Sequence, residues 1–73
     1  MNRARFTTIT ENVWNSFNIE LRRRILKHID KEFVINTASI ESLIYFFQHE
    51  VKNVSAAVVV YELQRFKESM THE

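Results

Sequence analysis

The chain of 73 residues contains no glycine, no proline and no cysteine. Average usage would place about five glycines and four prolines in a chain of this length. Each absence removes a class of structure. Tight hairpins of the primed turn types need positive backbone φ, and phosphate-cradling loops need glycine for close backbone approach, so neither is expected. Without cysteine there is no disulfide framework, no thiolate nucleophile and no cysteine-ligated zinc, which fits an intracellular protein. No apolar run approaches the roughly 20 residues of a bilayer span, and the opening MNRARFTTITE lacks the apolar stretch of a secretory signal. The expectation is a soluble, cytoplasmic protein with no membrane partner.

What is present is an ordinary globular composition, 45% apolar and 26% charged, which argues against intrinsic disorder. One domain is the most this length allows. Only about 60% of the unfolded surface can be buried at this size, so stability is expected to be marginal and a partner or a second copy would add to it. Formal net charge is +1, but residues 1 to 36 hold seven basic and four acidic side chains and residues 37 to 73 hold three and five. Two readings of that asymmetry stand side by side: it orients a partner, or the two halves attract each other.

Helical periodicity organises most of the chain. Over residues 11 to 30, ENVWNSFNIELRRRILKHID, the residues Trp14, Phe17, Leu21, Ile25 and Ile29 recur at steps of three and four and line one helix face. Thr8 followed by Glu11 matches a capping box, so a helix is expected from about residue 9 to 30, preceded by an arm over residues 1 to 8. Asn15, Ser16 and Asn18 are weak interior helix formers and leave open a break near Asn18 with a restart at Ile19. Residues 31 to 39, KEFVINTAS, interrupt the pattern and read as a linker. Phe33 to Ile35 could form a short strand pairing with RFTTIT. Ser39 or Thr37 then caps a helix over about 39–51 with the stripe Ile40, Leu43, Ile44, Phe47 and Val51, while Tyr45 points away from that stripe. After a turn at Lys52 and Asn53, Ser55 is expected to cap a helix over about 55–69. Its stripe is Val59, Leu63, Phe66 and Met70, with Ala56 and Val60 beside it. The expected fold is all-α, a small three-helix domain with an N-terminal arm, the first helix packing between the other two.

The first helix also carries a second, smaller apolar patch. Ile19 and Leu26 fall together about a third of a turn from the core stripe, beside Arg22 and Arg23 and close to Lys27. One reading is that a small fold wraps this helix and buries both sides. The other is a contact surface, since apolar anchors next to arginine are typical interface material. On that second reading the partner-binding residues are Ile19, Arg22, Arg23, Leu26 and Lys27.

Catalytic chemistry has little to draw on. His28, His49 and His72 are far apart in sequence, no two form an i, i+4 pair, and no metal or cofactor site is expected. No pair of carboxylates has a reason to share a proton, and an enzyme is not expected. A helix-turn-helix register can be drawn with Phe47, Val51, Val58 and Tyr61 at its apolar positions. Gln48 then falls where a small residue belongs, and Lys52 and Asn53 take the glycine and apolar turn positions. The would-be recognition helix opens SAAVVVY, with nothing near its start to read base edges. Arg22, Arg23, Arg24, Lys27 and Lys31, with Arg3 and Arg5, could instead hold phosphates without reading sequence, although Glu20, Asp30 and Glu32 are interleaved. A solvated helix face, an acidic protein target and nucleic acid are the three readings of this basic segment.

A short chain without cysteine, glycine or proline, with the basic run Arg22-Arg23-Arg24 and no catalytic signature, resembles the small bacteriophage proteins that bind bacterial RNA polymerase and inhibit initiation or alter termination. That resemblance implies a non-enzymatic regulator of transcription acting in the host cytoplasm through contact with a larger protein. These regulators share no motif, so it assigns no residue. The expectation is therefore a protein-binding regulatory module. A small DNA-binding regulator of helix-turn-helix type is the alternative, and a homodimer through the Ile19 patch is a third possibility.

Overall fold

Five helices follow one another: α1 (Glu11–Ser16), α2 (Ile19–Leu26), α3 (Lys31–Thr37), α4 (Ile40–His49) and α5 (Val54–Thr71). They belong to a computed structural model that describes residues 8–71. The chain is all-α as expected, but the helix count differs. The expected arm lies, Thr8 apart, outside the described residues.

The missing glycines explain how the helices end. Helices commonly stop on a left-handed residue, usually glycine. Here no described residue has positive φ. Most breaks are instead made by the cap of the next helix, a short polar residue held extended. Thr10, at φ −80° and ψ 167°, accepts the Val13 N–H at 3.3 Å and opens α1, so the cap is Thr10 and not Thr8. Phe17 and Asn18 both leave the helical region, and Asn18 Oδ1 accepts the Leu21 N–H at 2.8 Å to start α2. The single helix expected over residues 9 to 30 is thereby two helices, broken at Asn18.

Asp30 caps α3 by accepting the Glu32 N–H at 3.3 Å. The segment read as a linker is thus largely helical, and Phe33, Val34 and Ile35 lie in a helix and not a strand. Among the described residues the Ile9 N–H donates to the Ala38 carbonyl at 2.8 Å, a backbone hydrogen bond that fastens the chain ahead of α1 to the α3–α4 junction. Ser39 caps α4 as expected, accepting the Ser42 N–H at 3.0 Å. At the last helix the cap is Asn53, whose Oδ1 accepts the Ala56 N–H at 3.1 Å and the Ser55 hydroxyl at 2.7 Å. Ser55, the expected cap, supports Asn53.

The helices close over one apolar core in which Ile9, Trp14, Ile25, Val34, Leu43, Phe47, Val59 and Leu63 are fully buried. No polar or charged residue is buried among the described residues. The main pairing is α4 against α5, with α2 packed on α5. The expectation that the first helix sits between the other two is corrected accordingly. Glu41, early in α4, meets Lys67, late in α5, at 3.1 Å, so the two helices run side by side in opposite directions. Phe17 joins the sides of the core, with its ring edge-on to Trp14 at 5.8 Å between centroids and to Phe66 of α5 at 4.9 Å.

Candidate interaction face on helix α2

Two of α2's eight residues, Leu21 and Ile25, are buried, and they fix its rotation against the core. With about 100° per residue, Leu26, Ile19 and the two arginines Arg22 and Arg23 then fall within an arc of about 100° on the far side. Ile19 is 59% exposed and Leu26 40%. Of the two readings of this patch, a fold that wraps the helix and buries both sides is therefore not what forms. The break at Asn18 contributes to that outcome: it starts α2 at Ile19, so Ile19 stands in the first helical turn, away from the core.

The cations differ among themselves. Arg24 lies on the opposite flank and faces Glu20 at 3.8 Å across one turn, an exposed pair worth only a few tenths of a kcal/mol. Arg22 is half-buried. Its Nε is shielded from solvent and has no hydrogen-bond partner, so the stem is packed while the guanidinium tip reaches outward. Arg23 and Lys27 are exposed, and among the described residues no ion pair engages Arg22, Arg23 or Lys27. Part of this charge serves the helix itself, because Arg23 and Arg24 stand in the last turn, where cations complement the carbonyl end of the macrodipole. That role requires charge near the C-terminus. It does not require two exposed apolar side chains between the charges.

The five expected contact residues are thus brought to one surface: an apolar pair, two arginines, and Lys27 directly after the helix, where it keeps helical backbone geometry. Among the described residues no group of three or more histidines and carboxylates is placed to hold a metal ion. No helix among them is long and apolar enough to cross a membrane. His28 packs edge-on to Phe47 with centroids 5.6 Å apart, and His49 stacks on Tyr45 at 4.3 Å, so each ring is engaged with an aromatic neighbour.

The helix-turn-helix register fares less well in three dimensions. That motif crosses its two helices at roughly 90–120°. Glu41 and Lys67 lie about 13 and 20 Å along their helices from the α4–α5 corner, so a right-angle crossing would hold their backbones more than about 20 Å apart. Their side chains meet at 3.1 Å, which requires a far smaller angle. The exposed residues at the start of α5 are Val54, Ala57 and Val58, none of which hydrogen-bonds a base edge.

Sequence periodicity overlooked a second exposed apolar surface. On α5 the residues Val54, Val58, Tyr61 and Arg65 repeat the 4-3-4 spacing of the core stripe Val59, Leu63, Phe66 and Met70, displaced by five positions. Five positions is about 140° around a helix, so the two stripes lie on nearly opposite sides. The signal is in the sequence, but the helix-turn-helix register takes up only Val58 and Tyr61 of it. No protein-family model, curated protein or solved structure matches the chain.

Proposed function

We propose that this chain is a non-enzymatic regulatory protein that acts by docking helix α2 on an acidic surface of a larger protein. The observation that carries the reading is the exposed pair Ile19 and Leu26, set among Arg22, Arg23 and Lys27 on one face with no carboxylate engaged there among the described residues. The apolar pair supplies the area that a contact must desolvate. The cations steer association and fix orientation against negative charge. Bacterial RNA polymerase is the partner suggested by the resemblance to the small phage regulators, and inhibition or redirection of transcription in the host cytoplasm is the corresponding activity.

The test is capture by the purified polymerase of wild-type protein and of an Arg23→Glu/Lys27→Glu variant. Both side chains are exposed, so the fold is expected to survive at a cost of about 1 kcal/mol from reversed charge at the C-terminal end of α2, checked by circular dichroism, and capture is expected to disappear. Equal capture of the two proteins would remove this face from consideration. A gel-shift titration at two salt concentrations addresses the DNA-binding alternative. Binding that is feeble and vanishes with salt agrees with a protein partner, whereas tight, sequence-selective binding at physiological salt would replace that reading.

A further inference from the structure

We infer that Arg22 is the residue of the α2 face that reads a partner's carboxylate, taking it end-on through its pair of Nη atoms where that carboxylate stands beside an apolar side chain. The inference rests on α2 being the docking face and says which of its charges confers specificity. Arg22 follows Ile19 by three positions and precedes Leu26 by four, and Arg23 follows Ile19 by four and precedes Leu26 by three, so each arginine adjoins both apolar side chains. Spacing does not separate the two arginines, but burial does. Arg23 is exposed, whereas Arg22 is half-buried with its Nε shielded from solvent and without a hydrogen-bond partner.

A guanidinium grips a carboxylate side-on, through Nε and one Nη, or end-on, through both Nη atoms. A shielded Nε leaves no room for an acceptor oxygen, so the side-on approach is closed at Arg22 and the end-on fork remains. The packed stem also fixes where that fork points. Ordering a long, flexible side chain on association weakens binding. At Arg22 most of that ordering accompanies folding, while the exposed Arg23 and Lys27 are ordered only on contact. Arg22 is thus a prepared fork, and the other two are steering charges. The neighbouring side chains decide the kind of oxyanion. Phosphate oxygens fit the same fork, but a nucleic-acid backbone presents them in a hydrated row with no aliphatic group to cover Ile19 and Leu26. A glutamate or aspartate on a protein surface presents its carboxylate next to apolar side chains that cover both.

Side-chain NMR of the full chain tests the prepared fork without any partner. The Arg22 Nε–H is expected to exchange with water at least about tenfold more slowly than the Arg23 Nε–H, and equal rates would overturn the inference. Carboxylate reading is tested with a blocked helical peptide that carries leucines spaced like Ile19 and Leu26 and a glutamate beside each, titrated while the α2 amide signals are followed. Arg22→Lys keeps the charge and most of the stem but removes the fork. It is expected to weaken binding about fivefold or more through faster dissociation, whereas Arg23→Lys changes it less than about twofold. Equal losses in the two variants would overturn the inference and leave the docking reading in place, because both arginines would then act as point charges. A peptide that moves no α2 amide would count against the docking reading itself, even with the Arg22 Nε–H protected. A single-stranded oligonucleotide of equal charge that binds more tightly than the peptide, and loses affinity in Arg22→Lys, would replace the carboxylate by a phosphate.

Discussion

Phe17 meets Phe66 edge to face with their centroids 4.9 Å apart, so the residue that ends α1 is held by the C-terminal half of α5. Phe17 is buried and also touches the Trp14 ring. Truncating a buried phenylalanine to alanine costs about 3–5 kcal/mol. A chain of 73 residues has about 4–11 kcal/mol of stability in total. Phe17→Ala is therefore expected to leave a substantial unfolded population at 37 °C, seen as a large fall in the urea midpoint. Phe17→Leu, which keeps most of the volume, is expected to cost less than half as much.

Asn18 provides a test with a sign. In an unbroken helix through residue 18, alanine would be the better residue by several tenths of a kcal/mol, and Asn18→Ala would stabilise. With Asn18 Oδ1 accepting the Leu21 N–H at 2.8 Å, the same substitution removes a cap and is expected to destabilise by about 1 kcal/mol. Asn18→Asp keeps the acceptor and adds negative charge at the start of α2, so its stability is expected to equal or exceed that of the wild type. Chemical denaturation of the three proteins reads the order directly.

Periodicity in the sequence located the core and the last two helices well, α4 and α5 falling within two residues of their expected bounds, and divided the first half of the chain poorly, for identifiable reasons. Trp14, Phe17, Leu21, Ile25 and Ile29 are all buried, as their spacing predicts. That spacing is the same whether the helix continues or bends with its apolar side still facing inward, so it could not decide the break at Asn18. The deciding quantity is local: whether the Asn18 side chain caps or points to solvent. The α3 segment failed differently. KEFVINT is rich in β-branched residues, and only Val34 in it is fully buried, too little for a stripe to register. Asp30 as a cap was the available signal, and tertiary contact overrides propensity over so short a segment. The partner face was legible as a patch. Its exposure was not, because whether a small fold covers Ile19 and Leu26 depends on where α4 and α5 pack.

Arg22 is expected to separate packing from charge. Its Nε is buried without a hydrogen-bond partner, a cost that the packed stem of the side chain offsets. Arg22→Met keeps an apolar stem of similar reach and removes the unsatisfied donor. Its stability is expected to match the wild type or rise by up to about 1 kcal/mol. Arg22→Ala loses the stem and is expected to fall by about 1 kcal/mol. Thermal unfolding of both variants checks the order. A loss of the same size in Arg22→Met and Arg22→Ala would mean that the charge, not the stem, holds this residue in place.

Ile19 and Leu26 are expected to show stability and binding moving independently. Ile19 is 59% exposed and Leu26 only 40%, so Ile19→Ser should cost about 1 kcal/mol or less of folding stability and Leu26→Ser about 1–2 kcal/mol. If the α2 face is the docking surface, the same substitutions remove its apolar anchors, and each should weaken partner binding about tenfold or more by speeding dissociation. Arg23→Gln and Lys27→Gln should act on the other rate. Association should slow, and wild type and variant should converge as salt rises, because exposed charges lose their influence beyond the screening length of about 10 Å at 0.1 M. Surface-capture kinetics at two ionic strengths give both rates. If all four substitutions leave both rates unchanged while the fold is intact, α2 is a solvated helix and the partner meets the protein elsewhere.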